Sequence, residues 1–124
     1  MNIKSIDPEE IIPLDAAKND QLLVQLVENM TENGWQGRPL LVIDRENGDC
    51  LAWTGSHRIE AAREVGLPTV PCYVIQSSEL IRSNFDEKVD LDWAPFDHKD
   101  RMAALVKLGD ENAIHLMWQE DRPI

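Results

Sequence analysis

Residues 50–62 read Cys50-Leu51-Ala52-Trp53-Thr54-Gly55-Ser56-His57-Arg58-Ile59-Glu60-Ala61-Ala62. The first five form an apolar, strand-like run that Gly55 breaks. Ser56 stands where a hydroxyl caps a helix, and that helix continues through Ile59, Ala62 and Val65 to a stop at Gly66. Strand, sharp turn and helix follow one another here, and small, hydroxyl, imidazole and guanidinium groups converge at the turn. A helix start offers unpaired amides at the positive end of its dipole, glycine lets a ligand approach the backbone, and arginine adds a fork for phosphate oxygens. Gly55, Ser56, His57 and Arg58 are therefore a candidate phosphate grip, with Arg58 expected to point from the first helical turn into the pocket. The competing reading is a plain capped helix whose Arg58 pairs with a carboxylate, and four residues alone leave both readings open.

Upstream, residues 39–44 (PLLVID) are a near-continuous apolar run, which suits a strand covered on both sides. Asn47-Gly48 supplies the tight turn that makes residues 50–54 its hairpin partner. Leu22, Leu23, Leu26, Val27 and Met30 recur at helical spacing, with Asn19 or Asp20 to cap the start and Gly34 to end it. Residues 2–6 read as a short strand closed by Asp7-Pro8, followed by a turn or short helix over 9–12. Residues 69–75 (TVPCYVI) read as a strand that Pro71 places at an edge or a bulge. Asp97 is placed to cap a helix carrying Met102, Leu105, Val106 and Leu108 up to Gly109, and a last helix runs through Ile114 and Trp118. The expected fold is α/β (α+β), a small mixed sheet of about four strands with helices packed on it and a C-terminal helical annex. Residues 1–76 form the core in this reading, and 77–124 an acidic helical extension packed on the same domain.

The chain has 124 residues, 43% hydrophobic and 28% charged, enough apolar content for one core. Twenty-three acidic against twelve basic side chains give a net charge of −11. That field opposes sequence-specific duplex DNA binding and membrane association, and residues 84–124, with ten acidic and five basic side chains, hold no basic reading helix. No apolar run reaches about 18 residues and the first residues lack a secretory pattern, so the expected location is cytoplasmic. Cys50 and Cys72 each lie in an apolar stretch and read as buried, unreactive free thiols. His57, His98 and His115 stand singly, without zinc-ligand spacing.

Five features in order resemble the ParB/sulfiredoxin superfamily over roughly residues 3–75. They are Ile6-Asp7-Pro8-Glu9-Glu10-Ile11, the helix ending at Gly34, Gly37-Arg38-Pro39-Leu40 entering a strand, Thr54-Gly55-Ser56-His57-Arg58-Ile59-Glu60-Ala61-Ala62, and Gly66-Leu67-Pro68-Thr69-Val70-Pro71. The resemblance implies a single-domain member of the ParB-like N-terminal nucleotide-binding class, whose Gly-(Ser/Cys/His/Glu)-(His/Arg)-Arg loop grips nucleotide phosphates. ATP, ADP or CTP with magnesium is the implied cofactor. Relatives include partition proteins, sulfinic acid reductases, a kinase of free serine and nucleases. The reductases carry a reactive cysteine where Ser56 stands, and serine cannot form a thiosulfinate, so that chemistry is excluded. Partition proteins continue into a helix-turn-helix with a basic surface, which residues 76–124 do not offer.

The kinase-like branch implies an early acid acting as base. Asp15 falls near that position, with Glu9 and Glu10 as rivals, and His57 is the second catalytic candidate. Each of these acids reads equally as a turn or first-turn helix residue. Gly37 and Arg38 join the nucleotide-binding set, and the rings of Trp35 and Trp53 are candidates to stack on a base or simply to fill the core. Two functions remain in view. One is a nucleotide-binding protein with magnesium-dependent phosphoryl transfer or hydrolysis. The other is a non-catalytic acidic antitoxin, immunity or regulatory protein that meets a basic partner with residues 97–119.

Overall fold

The computed structural model describes residues 3–13, 16–45, 48–80 and 98–117. Strands β1 (Ile3–Ile6), β2 (Ile11–Pro13), β3 (Leu40–Asp44), β4 (Cys50–Ala52) and β5 (Val70–Gln76) form one sheet in the order β1-β5-β3-β4-β2. The outer pairs mix directions: β1 runs antiparallel to β5 and β2 parallel to β4, while β3 at the centre is parallel to β5 and antiparallel to β4. Helices α1 (Asp20–Asn33) and α2 (Ser56–Val65) cross between strands, and α3 (His98–Leu108) and α4 (Glu111–Met117) follow them in the chain.

The apolar run of β3 explains the layering. Successive side chains of a strand face opposite sides, and Leu40, Leu41, Val42 and Ile43 are all fully buried. Leu40 and Val42 pack with Ala52, Cys72 and Val74 against Leu26 and Met30 of α1 and Ile59 and Ala62 of α2. Leu41 and Ile43 pack with Leu51, Tyr73 and Ile75 against Leu105 of α3 and Leu116 of α4. One five-residue strand thus joins two apolar clusters, each of its four apolar side chains contributing about 1.5 to 3 kcal/mol of burial. The C-terminal helices lie on the same sheet, on the face that α1 and α2 leave open.

Local signals set the helix ends. The Asn19 side chain accepts the Leu22 amide at 3.0 Å, and α1 stops at Gly34, whose φ is 70°. Gly66 ends α2 in the left-handed region. Ser56 does not cap α2 as expected. Gly55 occupies the cap position at φ 78° and ψ 31°, without a side-chain hydrogen bond, and Ser56 is the first helical residue.

Three expectations about strands are corrected. The sheet has five strands because residues 11–13, expected to fall in a short helix or just after it, add a strand. The short helix covers only Pro8–Glu10, held by the Asp7 carboxylate accepting the Glu9 amide at 2.9 Å. Ile11 then pairs with Cys50, a contact 39 positions distant that no local pattern announces. Pro71 lies in an interior strand, not an edge. It sits opposite Ser5 of β1, ahead of the point where β3 begins at the Leu40–Cys72 pair, so its missing amide is not needed there. The strand expected over 50–54 closes at Ala52, although the Trp53 amide still donates to the Leu41 carbonyl at 2.9 Å. Asn47, Asp97 and Trp118, given roles by the sequence reading, lie outside the described residues.

Arg63, which the sequence reading passed over, clamps the start of the chain. From α2 its Nε donates to the Pro8 carbonyl at 3.0 Å and its Nη2 to the Ile11 carbonyl at 2.6 Å, which positions β2 for pairing.

Cys72 is fully buried, and burial pushes its thiol up to about 12. Cys50 is half-buried and its pKa is raised above 9.0, chiefly by burial and then by the Asp44 carboxylate. The thiolate is the nucleophile. Iodoacetamide should therefore modify Cys50 slowly at neutral pH, with a rate rising about tenfold per pH unit and not levelling off by about pH 9. Cys72 should stay unmodified until the protein unfolds. Mass spectrometry of the native protein tests both, and a Cys50 rate that plateaus near neutral pH would contradict the assignment.

Candidate functional site

The loop between β4 and α2 is built from the main chain outward. Thr54 fastens it to the sheet, its hydroxyl accepting the Leu41 amide at 3.1 Å. Gly55 is buried and turns the chain through the left-handed region, a conformation that a β-carbon disfavours. The first α-helical bond of α2 is the Ile59 amide to the Gly55 carbonyl at 2.9 Å. Ser56, His57 and Arg58 form the first turn of α2, where the amides precede the helix's own bonding pattern and Gly55, lacking a side chain, cannot cap them itself.

His57 ties this helix start to another. Its Nε2 accepts the backbone amide of Asn19 at 3.0 Å, and Asn19 is the cap of α1. Two helix N-termini, 38 residues apart in sequence, are thereby held together at their positive ends. The accepting nitrogen carries no proton in this arrangement, so His57 acts here as a positioning residue. Nothing in the sequence paired His57 with Asn19, since each was read within its own helix.

Arg58, expected to point from the first turn into the pocket, is drawn inward: the residue is 2% exposed, its Nη1 donates to the Arg38 carbonyl at 2.7 Å, and its guanidinium lies 4.7 Å from the centre of the Trp35 ring. It braces α2 against the loop that enters β3. A main-chain carbonyl and an aromatic face are among the partners of Arg58. Trp35 is thus engaged with a guanidinium, and its own Nε1 is buried without a hydrogen-bond partner among the described residues. Trp53 is 2% exposed and belongs to the core on the α3–α4 side, which removes it as a stacking platform.

The remaining candidates scatter. Gly37, at φ 91°, and Arg38 are exposed on the loop before β3, and Arg38 meets the Gly55–Arg58 turn through its carbonyl. Glu9 and Glu10 are exposed in the first turn of the short helix at Pro8–Glu10. Asp15 lies outside the described residues. Among the described residues no group of three His, Cys, Asp or Glu side chains is placed to hold a metal, and no helix is long and apolar enough to cross a membrane.

One further residue belongs to this region. Arg101 of α3 is 5% exposed and its Nη1 donates to the Trp53 carbonyl at 3.3 Å, just before Thr54. The C-terminal helices therefore support the loop from the opposite face of the sheet. The available signal was Arg101 standing three and four residues before Ala104 and Leu105, on the buried stripe of its helix.

Residues 1–85 match the ParB N-terminal domain, and the chain belongs to that family. Sulfiredoxin from Arabidopsis thaliana is 30% identical over 60% of this chain and 84% of its own, with a TM-score of 0.51. The C-terminally truncated chromosome-partitioning protein ParB from Caulobacter crescentus, complexed with CTP-gamma-S, matches 98% of this chain and 73% of its own at 16% identity and TM-score 0.54. A free serine kinase in complex with AMP matches 60% of this chain but only 31% of its own, at 18% identity and TM-score 0.53. The last two likenesses concern the fold alone, and the partition protein's extends over the C-terminal helices. No curated protein matches the chain.

Arg58→Ala should lower stability by about 2 to 3 kcal/mol, because it strands the Arg38 carbonyl and removes the stacking on Trp35. Arg58→Lys keeps the charge without the planar fork and should recover less than half of that loss. Chemical denaturation of the two variants measures this, and an unchanged midpoint for Arg58→Ala would show that the bond contributes nothing.

Proposed function

We propose that this protein binds a nucleotide, holding its phosphates at the joined starts of α1 and α2. The observation that carries this reading is the joining of two helix starts: Gly55 turns the chain through the left-handed region into α2, and His57 ties that start to the start of α1. Such a pair of starts fits an anion, since two helix dipoles favour negative charge without a basic surface. That resolves the apparent conflict with a net charge of −11. The neighbours named with bound AMP and CTP-gamma-S support the same reading.

In this reading Gly55 allows close approach, and the amide and half-buried hydroxyl of Ser56 donate to phosphate oxygens. Arg58 contributes its charge from beneath the loop and keeps the loop in shape. Magnesium, bound to the phosphates themselves, would neutralise their charge. Phosphoryl transfer or hydrolysis requires a base in addition, for which Asp15 is the sequence candidate, so the proposal is centred on binding.

A thermal-shift screen of ATP, ADP, CTP and GTP with and without magnesium tests it. A nucleotide at about 100 times its Kd should stabilise the protein by about 2.7 kcal/mol and raise Tm by several degrees. Ser56→Asp should leave the free protein as stable as before, because a carboxylate suits a first helical turn, yet it should abolish the nucleotide shift by repelling phosphate. Absence of a shift with all four nucleotides would overturn the proposal and favour the acidic interaction protein.

A further inference from the structure

A cleft of about 180 Å³ lies where β1, β5, α4 and the entrance to β3 meet. Ile3, Pro39, Tyr73 and Leu116 supply its apolar wall, and Arg38, Asn112 and His115 its polar groups. Tyr73 and Leu116 belong to the cluster under α3 and α4, whereas the α2 start proposed for phosphates belongs to the helix layer on the other face. At the roughly 30 Å³ that a water occupies in the liquid, the cleft holds the volume of about six waters. It is too small for a nucleotide and sized for a fragment-like molecule.

Its charge sets it apart from the rest of the chain. Among the described residues no acidic side chain lines it, while Arg38 and His115 both do. The Asp110 carboxylate is occupied internally: it accepts the Tyr73 hydroxyl at 2.7 Å on one oxygen and the Ala113 amide at 3.0 Å on the other. Tyr73 consequently spends its hydroxyl on Asp110 and offers the cleft its ring. Arg38 is exposed and makes no ion pair among the described residues. We propose that this cleft binds a small organic monocarboxylate with a compact apolar body, the body against Ile3, Tyr73 and Leu116 and the carboxylate on Arg38, with His115 at the same rim. A neutral molecule of the same shape would gain the apolar contacts but forfeit the charge-assisted bond.

Benzoate is the probe, with benzamide as its uncharged counterpart, titrated into the isotope-labelled full chain by NMR. Benzoate should shift the Ile3, Tyr73 and Leu116 signals saturably, and benzamide should bind at least about tenfold more weakly. Arg38→Gln should erase the difference between the two by weakening benzoate alone. Ile3→Trp, at an exposed edge-strand position that tolerates an aromatic ring, should fill the cleft and abolish both. No saturable shift, equal affinity for the two probes, an unchanged benzoate affinity in Arg38→Gln, or shifts centred on Ser56 and His57 would each overturn the proposal.

Discussion

A single guanidinium holds the two halves of the proposed site in register. Arg58 leaves the first turn of α2, donates to the Arg38 carbonyl at 2.7 Å and lies over Trp35. Burying a charge is costly unless partners compensate, and the loop before β3 supplies two of those partners. That loop leads straight into Leu40–Asp44, the strand whose alternating side chains anchor both apolar clusters. The bond therefore couples the candidate site to the centre of the sheet.

Around that brace the proposed recognition chemistry is assigned to the main chain. A helix start on a left-handed glycine and a histidine bond to a second helix start bring two positive dipole ends together without net positive charge. On the proposed reading, an acidic member of the ParB N-terminal domain family needs no basic surface for an anion. The surface can then be as negative as solubility or a basic partner favours, because the field that matters acts within the first turn of each helix.

The C-terminal helices contribute more than cover. Leu105 and Leu116 close the face of the sheet left open by α1 and α2. Arg101 reaches the Trp53 carbonyl at the mouth of the β4–α2 loop, and Leu116 and His115 help form the Arg38 cleft. Helices α3 and α4 thus supply Arg101 and His115 to the surroundings of the candidate sites.

By itself the sequence determined what depends on near neighbours along the chain. The apolar run at 39–44, the breaks at Gly34, Gly55 and Gly66, the Asn19 cap and the order of the family motifs were legible because backbone preference and side-chain alternation are local properties. Tertiary structure alone decided the fifth strand, the interior place of Pro71, and the direction taken by Arg58. Residues 11–13 become a strand only beside Cys50, and Pro71 is tolerated only because β3 begins one residue later. Arg58 turns inward onto Trp35 and the Arg38 carbonyl. In each case the deciding energy is a bond between positions distant in the chain, which no window of sequence contains.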